Sequence, residues 1–307
     1  MKLSVIIPTH ERPAQLRDCL ATLQAQELEP AQFEVVVVDD GSRTDIPALV
    51  GEQATGGAVA MRCERLVLTG LNGARNHGAA VADGDVLAFL DDDTLVSPGW
   101  GAAMLAAFER HPCAGVGGRV RLSLEGPVPA WLAPRRYYLS EYDLGEDAHW
   151  LAGDPVPVGA NCAVRREDFA RAGGFHRGLD RLGASLVSNG DTEFFRRLRR
   201  AGGRLRYEPA AEVRHRIAPE RLTIDYFLRR HFAQGVSDEL MSVLEHPDLS
   251  VRRRLGHLGG DLRRLVVPQT ETVVKDLLRG RGTVNARFFA SYWRGRFAAV
   301  GKTPDDL

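Results

Sequence analysis

Three adjacent carboxylates, Asp91-Asp92-Asp93, close the apolar run Val86-Leu87-Ala88-Phe89-Leu90. A run this short and apolar reads as a central strand covered on both faces. Three aspartates at its end repel one another and lose hydration unless a cation stands among them. The simplest chemistry for them is a divalent-metal site holding a phosphorylated ligand, because open α/β sheets bind ligands beyond the carboxyl ends of their strands. The bland alternative is an acidic turn that caps the helix opening near Trp100. Three more clusters stand at element ends: Pro8-Thr9-His10-Glu11-Arg12, Asp39-Asp40-Gly41-Ser42 and Asn189-Gly190-Asp191-Thr192-Glu193. Each alone has an ordinary explanation, a turn for Asp-Gly-Ser or an N-cap for Asp191. In a parallel sheet, the ends carrying Thr9, Asp39 and Asp91 converge on one edge, and that convergence calls for a ligand.

The elements that position these groups alternate along the chain. Leu3–Ile7, Glu34–Val38, Arg65–Thr69 and 86–90 read as strands, separated by helices at Pro13–Gln26, Ile46–Glu52 and Asn72–Val81. That order predicts a parallel sheet with right-handed crossovers. Beyond residue 100 the pattern changes. A helix at 100–110 precedes an alternating strand, Gly115–Leu124, and then a loop region rich in Pro, Trp and Tyr over 125–155. Val156–Val164 reads as a strand, Arg166–Ala172 and Asp191–Ala201 as glycine-terminated helices, and Arg204–Glu208 and Glu212–His215 as two short strands. From Pro219 to Val300 the pattern is helical.

A chain of 307 residues, 44% hydrophobic and 26% charged, is an ordinary globule of one or two domains. Four cysteines without metal or CxxC spacing read as reduced structural thiols, which fits the cytoplasm, and no signal-peptide layout or bilayer-spanning run is present. Charge is uneven. Residues 216–302 carry 16 Lys/Arg against 9 Asp/Glu, while 1–215 carry 24 against 29. The basic tail mixes cations with apolar residues, as in Tyr226-Phe227-Leu228-Arg229-Arg230 and Arg252-Arg253-Arg254. Three readings follow: peripheral contact with the inner face of a membrane, a helical cap that packs on the core or forms a homodimer, or a clamp for an anionic soluble acceptor. The glycines at 256, 259, 260, 280 and 282 interrupt the helices and favour the cap.

The stretches Ser4-Val5-Ile6-Ile7-Pro8-Thr9-His10-Glu11-Arg12, Val36-Val37-Val38-Asp39-Asp40-Gly41-Ser42, Gly73-Ala74-Arg75-Asn76-His77-Gly78, Phe89-Leu90-Asp91-Asp92-Asp93 and Gly190-Asp191-Thr192-Glu193-Phe194 occur in one order across residues 3 to about 215. In them the chain resembles family 2 of the inverting GT-A nucleotide-sugar glycosyltransferases. The resemblance implies a Rossmann-like, mostly parallel sheet flanked by helices over 1–215, with a nucleotide-binding half (1–93) and an acceptor half (94–215), followed by a helical basic region (216–307). It implies that Pro8, Thr9, Glu11, Arg12, Asp39 and Asp40 hold the nucleoside, with Asp40 foremost as acceptor for the uracil N3–H. Arg75 would lie near the diphosphate. Asp91, Asp92 and Asp93 would hold ribose and a Mg²⁺ or Mn²⁺ ion, with Asp93 and Asp91 as ligands and His215 joining them. Two carboxylates two residues apart share one side of an extended chain. Asp191 would be the general base, with Glu193 the fallback because Gly190 replaces a usual Glu. Asn161 would reach donor sugar or acceptor. Aromatic faces at Trp131, Tyr137, Tyr138 and Trp150 are candidates for sugar stacking, with core packing the equally ordinary alternative.

The expected activity is metal-dependent transfer of a sugar, with inversion, from a nucleoside diphosphate donor, UDP foremost, to a glycan, lipid-linked or small-molecule acceptor; nucleic acid is not an expected partner. A sugar-phosphate nucleotidyltransferase is the rival enzyme, but its glycine-rich phosphate loop is missing after strand one. A catalytically silent sugar-nucleotide-binding protein is the rival of another class, and the full set of carboxylates argues against it.

Overall fold

The computed structural model describes residues 1–181, 183, 185–259 and 284–306. The basic and glycine positions 260–282, including Arg263, Arg264 and Lys275, lie outside the described residues. The chain divides into two compact units. The first comprises 1–125, 135–176 and 190–218; the second comprises 126–134, 177–189 and 219–307. The second unit therefore takes two segments from the front of the chain besides the basic tail.

The first unit is built on one sheet. Its strands are β1 (Leu3–Thr9), β2 (Phe33–Asp40), β3 (Ala60–Leu66), β4 (Val86–Leu90), β5 (Thr94–Val96), β6 (Gly115–Leu124), β7 (His149–Trp150), β8 (Asn161–Arg165) and β9 (Leu205–Ile217). They lie in the order β3-β2-β1-β4-β8-β6-β9-β5, with β7 on β9. β3, β2, β1 and β4 are parallel neighbours, and β8 joins β4 antiparallel. β1, β2 and β4 are buried throughout, as their unbroken Val/Ile/Leu runs predict for strands covered on both faces. Helices α1 (Pro13–Gln24), α2 (Ile46–Thr55), α3 (Leu71–Val81), α4 (Trp100–Arg110), α5 (Arg166–Ala172) and α6 (Gly190–Arg200) complete this unit. α1 starts on Pro13, whose missing N–H costs nothing in a first turn. α5 ends on Gly173 at φ +81°, the left-handed stop that glycine adopts without strain.

Four expectations shift. The third strand runs Ala60–Leu66 instead of Arg65–Thr69, because the chain leaves the sheet at Leu66 to turn over the end of β2; Val67 and Leu68 are exposed there. The strand expected at Val156–Val164 is confined to Asn161–Arg165. Arg204–Glu208 and Glu212–His215 form one long strand, β9, and a register shift beside Gly118 lets it continue along β6. The stretch after the aspartate triplet contains the short strand β5, which pairs antiparallel with β9.

In the second unit, α7 (Ile224–Glu245) is N-capped by the Thr223 hydroxyl, which accepts from the Tyr226 amide. Helical residues 251–259 form α8, and α9 spans Val284–Ala299. α7 and α9 cross at glycines: a Cβ on Gly235 would clash with the Tyr292 carbonyl, and one on Gly295 with the Phe232 carbonyl. Trp131 packs edge-on against Phe227 and Phe288, so this aromatic is core to its unit. No described helix is long and apolar enough to cross a membrane.

Candidate active site

The aspartate triplet is not on an extended chain. Residues 91–94 form a turn in which the Thr94 amide and hydroxyl both donate to the Asp91 carbonyl, at 3.2 and 2.7 Å. The turn, and not strand alternation, brings Asp91 and Asp93 together. Thr94 then enters β5, where it stands opposite His215 of β9, and the Arg216 amide donates to the Asp93 carbonyl at 2.9 Å. This pairing carries His215 across 121 residues of sequence to the triplet. Its Nε2 lies 3.1 Å from Asp93 Oδ1, and oxygens of Asp91 and Asp93 and a nitrogen of His215 all lie within 4.8 Å of one another.

The His215 Nδ1–H donates to the Leu139 carbonyl at 2.9 Å. In the neutral ring this leaves the lone pair on Nε2, directed at a carboxylate. Two lone pairs facing each other need a proton or a cation between them. Two carboxylates and an imidazole are a donor set suited to Mn²⁺, and to Mg²⁺ through its oxygens, with positions left for phosphate oxygens. The residues present therefore fit the metal that the sequence implied.

Two arginines already offset part of the charge. Arg12 donates to Asp92 Oδ1 at 3.0 Å and to Asp93 Oδ2 at 2.9 Å. Asp92 also accepts from the Thr9 hydroxyl at 2.7 Å. Burial pushes the Asp92 carboxyl up to about 7, and Arg12 and Thr9 pull against that rise. Asp92 thus braces the ends of β1 and β4, and Arg12 is a counter-ion to the triplet. Arg75, only 4% exposed, donates to Asp91 Oδ1 and to the Gly159 carbonyl, both at 3.0 Å. Its Nε is buried without a hydrogen-bond partner among the described residues.

From Gly159 the chain of contacts continues. The Gly159 amide donates to Asp191 Oδ2 at 2.6 Å, and Asp191 Oδ1 accepts from the Thr192 amide at 2.8 Å. Asp91, Arg75, Gly159 and Asp191 are thereby linked, so the triplet and the expected base belong to one constellation. Asp191 stays half-buried in the first turn of α6. Glu193, the fallback, is not available: it is buried and held by both nitrogens of an Arg197 fork at 2.8 Å.

The other expected residues separate clearly. Asp40 gives Oδ1 to the Thr69 amide and hydroxyl, at 2.6 and 2.8 Å, and Oδ2 to the Gly70 amide at 2.8 Å. It is the clamp for the turn that follows β3. Asp39, one residue earlier, accepts from the Ser42 amide with Oδ1, while Oδ2 is buried without a hydrogen bond and lies 3.5 Å from Arg65 Nε. Both carboxylates of the pair are thus engaged, Asp39 by the Ser42 amide and the Arg65 ion pair, Asp40 by the 69–70 turn. Glu11 is taken up by Arg43 and Thr44, joining the loops after β1 and β2. Pro8 lies buried in β1 beside Thr9.

Asn161 is a correction. It is wholly buried; its Oδ1 accepts from Trp100 Nε1 at 2.9 Å and its Nδ2 donates to the Arg119 and Ala211 carbonyls at 3.0 and 2.7 Å. With these three bonds it ties α4, β6 and β9 together and has no donor left for a sugar. Trp150 is likewise covered, by the Arg204 guanidinium at 3.6 Å, whereas Tyr137 is exposed. Sequence reasoning missed the Leu139 carbonyl and the Gly159 amide and carbonyl. Backbone groups have no residue-type signature, so nothing in the sequence marked them.

A curled, mostly parallel sheet with flanking helices and an acidic edge is the GT-A architecture of glycosyltransferases. The chain belongs to Glycosyl transferase family 2, whose profile matches residues 4–173. It is 28% identical over 292 residues to the glucosyl-dolichyl phosphate glucuronosyltransferase of Haloferax volcanii, covering 90% of this chain and 88% of that protein. It is 30% identical over 254 residues to the pre-mycofactocin glycosyltransferase of Mycobacterium tuberculosis, covering 80% of this chain but 48% of that one. Among solved structures, the mannosyltransferase PcManGT of Pyrobaculum calidifontis, in complex with GDP-Man and Mn²⁺, shares the fold with a TM-score of 0.63 at 17% identity, over 97% of this chain and 87% of the other. The protein is thus a glycosyltransferase enzyme.

Proposed function

We propose that this glycosyltransferase moves a sugar from a nucleoside diphosphate donor, a UDP-sugar foremost, to an acceptor hydroxyl in one metal-dependent, inverting step. The observation that carries the reading is the Asp91–Asp93–His215 cluster, with the His215 ring oriented by the Leu139 carbonyl. A divalent cation held there would neutralise charge on the departing diphosphate. Arg75, with a buried Nε still unpartnered, is suited to bind the same diphosphate. Asp39, whose Oδ2 makes no hydrogen bond but pairs with Arg65 at 3.5 Å, is the carboxylate suited to the nucleobase, and Asp40 shapes the turn beside it.

Asp191 takes the proton of the acceptor hydroxyl as the new C–O bond forms on one face of the anomeric carbon and the bond to the diphosphate breaks on the other. One displacement needs one base, and Asp191 is the half-buried carboxylate linked through Gly159 and Arg75 to the triplet. The names of the related proteins support a lipid-linked acceptor: a glucosyl-dolichyl phosphate in one and an undecaprenol diphosphate glycan in another. Calorimetric titration with UDP, GDP and ADP, each with Mn²⁺ and with EDTA, tests the reading. Tightest binding of UDP, lost in EDTA, is expected. Equal binding in EDTA removes the metal, and tighter GDP or ADP binding removes uridine.

A further inference from the structure

Outside the acidic edge, the first unit holds a small hollow of about 160 Å³ beside the Glu193–Arg197 pair, whose groups are already engaged. The second unit holds a larger and different cavity. Its volume is about 420 Å³, within the range of small-molecule sites, and it lies between α7, α9 and the segment 185–187. Leu186, Leu228, Phe232 and Val236 give it an apolar lining. Arg229 of α7 and Arg294 of α9 also line it, and both are exposed. Neither arginine has an ion pair or hydrogen bond among the described residues. Phe232, 37% exposed, stays at the rim without cover.

An apolar cleft flanked by two unanswered cations is complementary to a molecule with an apolar chain and an anionic head. Two guanidiniums suit phosphate, which offers several acceptor oxygens and up to two charges. We propose that the second unit carries a binding site for a single-chain lipid phosphate, with the chain against Leu228, Phe232 and Val236 and the phosphate between Arg229 and Arg294. The site is defined within this unit alone, and binding to it is independent of the transferase reading.

The test is calorimetry on the full chain in EDTA, with octyl and decyl phosphate below their micellar concentrations, and with inorganic phosphate and 1-decanol as the two half-ligands. Decyl phosphate binds, and octyl phosphate binds roughly tenfold more weakly, because each buried methylene is worth about three- to fourfold. The double variant Arg229→Gln/Arg294→Gln weakens decyl phosphate roughly 10- to 30-fold, with an unchanged melting temperature. Asp93→Ala leaves it unchanged, which separates this site from the acidic edge. Inorganic phosphate or decanol binding as tightly as decyl phosphate overturns the proposal. So does the absence of alkyl phosphate binding, or an undiminished affinity in the double variant.

Discussion

The end of β4 and the surface of α7 and α9 handle charge in opposite ways. At β4, three carboxylates are held in a folded turn, and Arg12, Arg75, Thr9 and His215 are brought to them from other elements. On the helices, Arg229 and Arg294 stand exposed with no partner among the described residues. A buried cluster must be answered within the fold, since leaving charge unpaired away from water is costly. A surface cation has no such requirement, so its lack of a partner is informative only beside an apolar cavity. The contrast teaches that the acidic edge is preorganised in the free protein, whereas the helical surface stores only an electrostatic preference.

The sharpest break of that comparison is Asp191→Asn. The amide oxygen still accepts from the Gly159 amide, so shape and donor binding persist, while transfer falls roughly 10²–10⁴-fold for loss of a general base. Single-turnover transfer at the parent rate removes Asp191 from the base role. Next, His215→Gln keeps the fold near Leu139 but removes the imidazole, and Mn²⁺-dependent nucleotide affinity falls roughly 10–100-fold; unchanged affinity by calorimetry returns His215 to a structural role.

Arg12→Ala tests whether the triplet is answered by protein or by metal. Without divalent ions, stability falls by about 1.5–3 kcal/mol, the usual scale for hydrogen bonds to charged groups. Added Mn²⁺ restores part of it, because the cation takes over the neutralising task. A denaturant midpoint indifferent to both the substitution and Mn²⁺ means the triplet is not a strained cluster at all. Asp39→Asn and Asp40→Asn separate the neighbouring carboxylates. The first weakens UDP binding with little change in stability; the second lowers the melting temperature by freeing the 69–70 turn. The reverse outcome restores Asp40 as the nucleobase contact. The smallest effect is on the helices, where Arg294→Gln shifts stability by no more than about 0.5 kcal/mol, as for any surface residue without a partner.

Much of this protein was determined by local sequence. Unbroken apolar runs made β1, β2 and β4 buried strands, Pro13 and Gly173 set helix ends, and the carboxylates at the ends of β2 and β4 reached one edge because parallel neighbours end together. Each of those outcomes depends on residue type over a few positions. What the tertiary structure alone decided depends on groups far apart in the chain. The β5–β9 pairing delivered His215 to Asp93, the Leu139 carbonyl chose its tautomer, and Gly159 linked Arg75 to Asp191. It also used both amide donors of Asn161, paired Glu193 with Arg197 and tied Asp40 to the 69–70 turn. Sequence names the polar groups a chain owns; only the packed fold determines which of them are already spent on one another, because a buried donor or acceptor must find its partner wherever the topology has placed one.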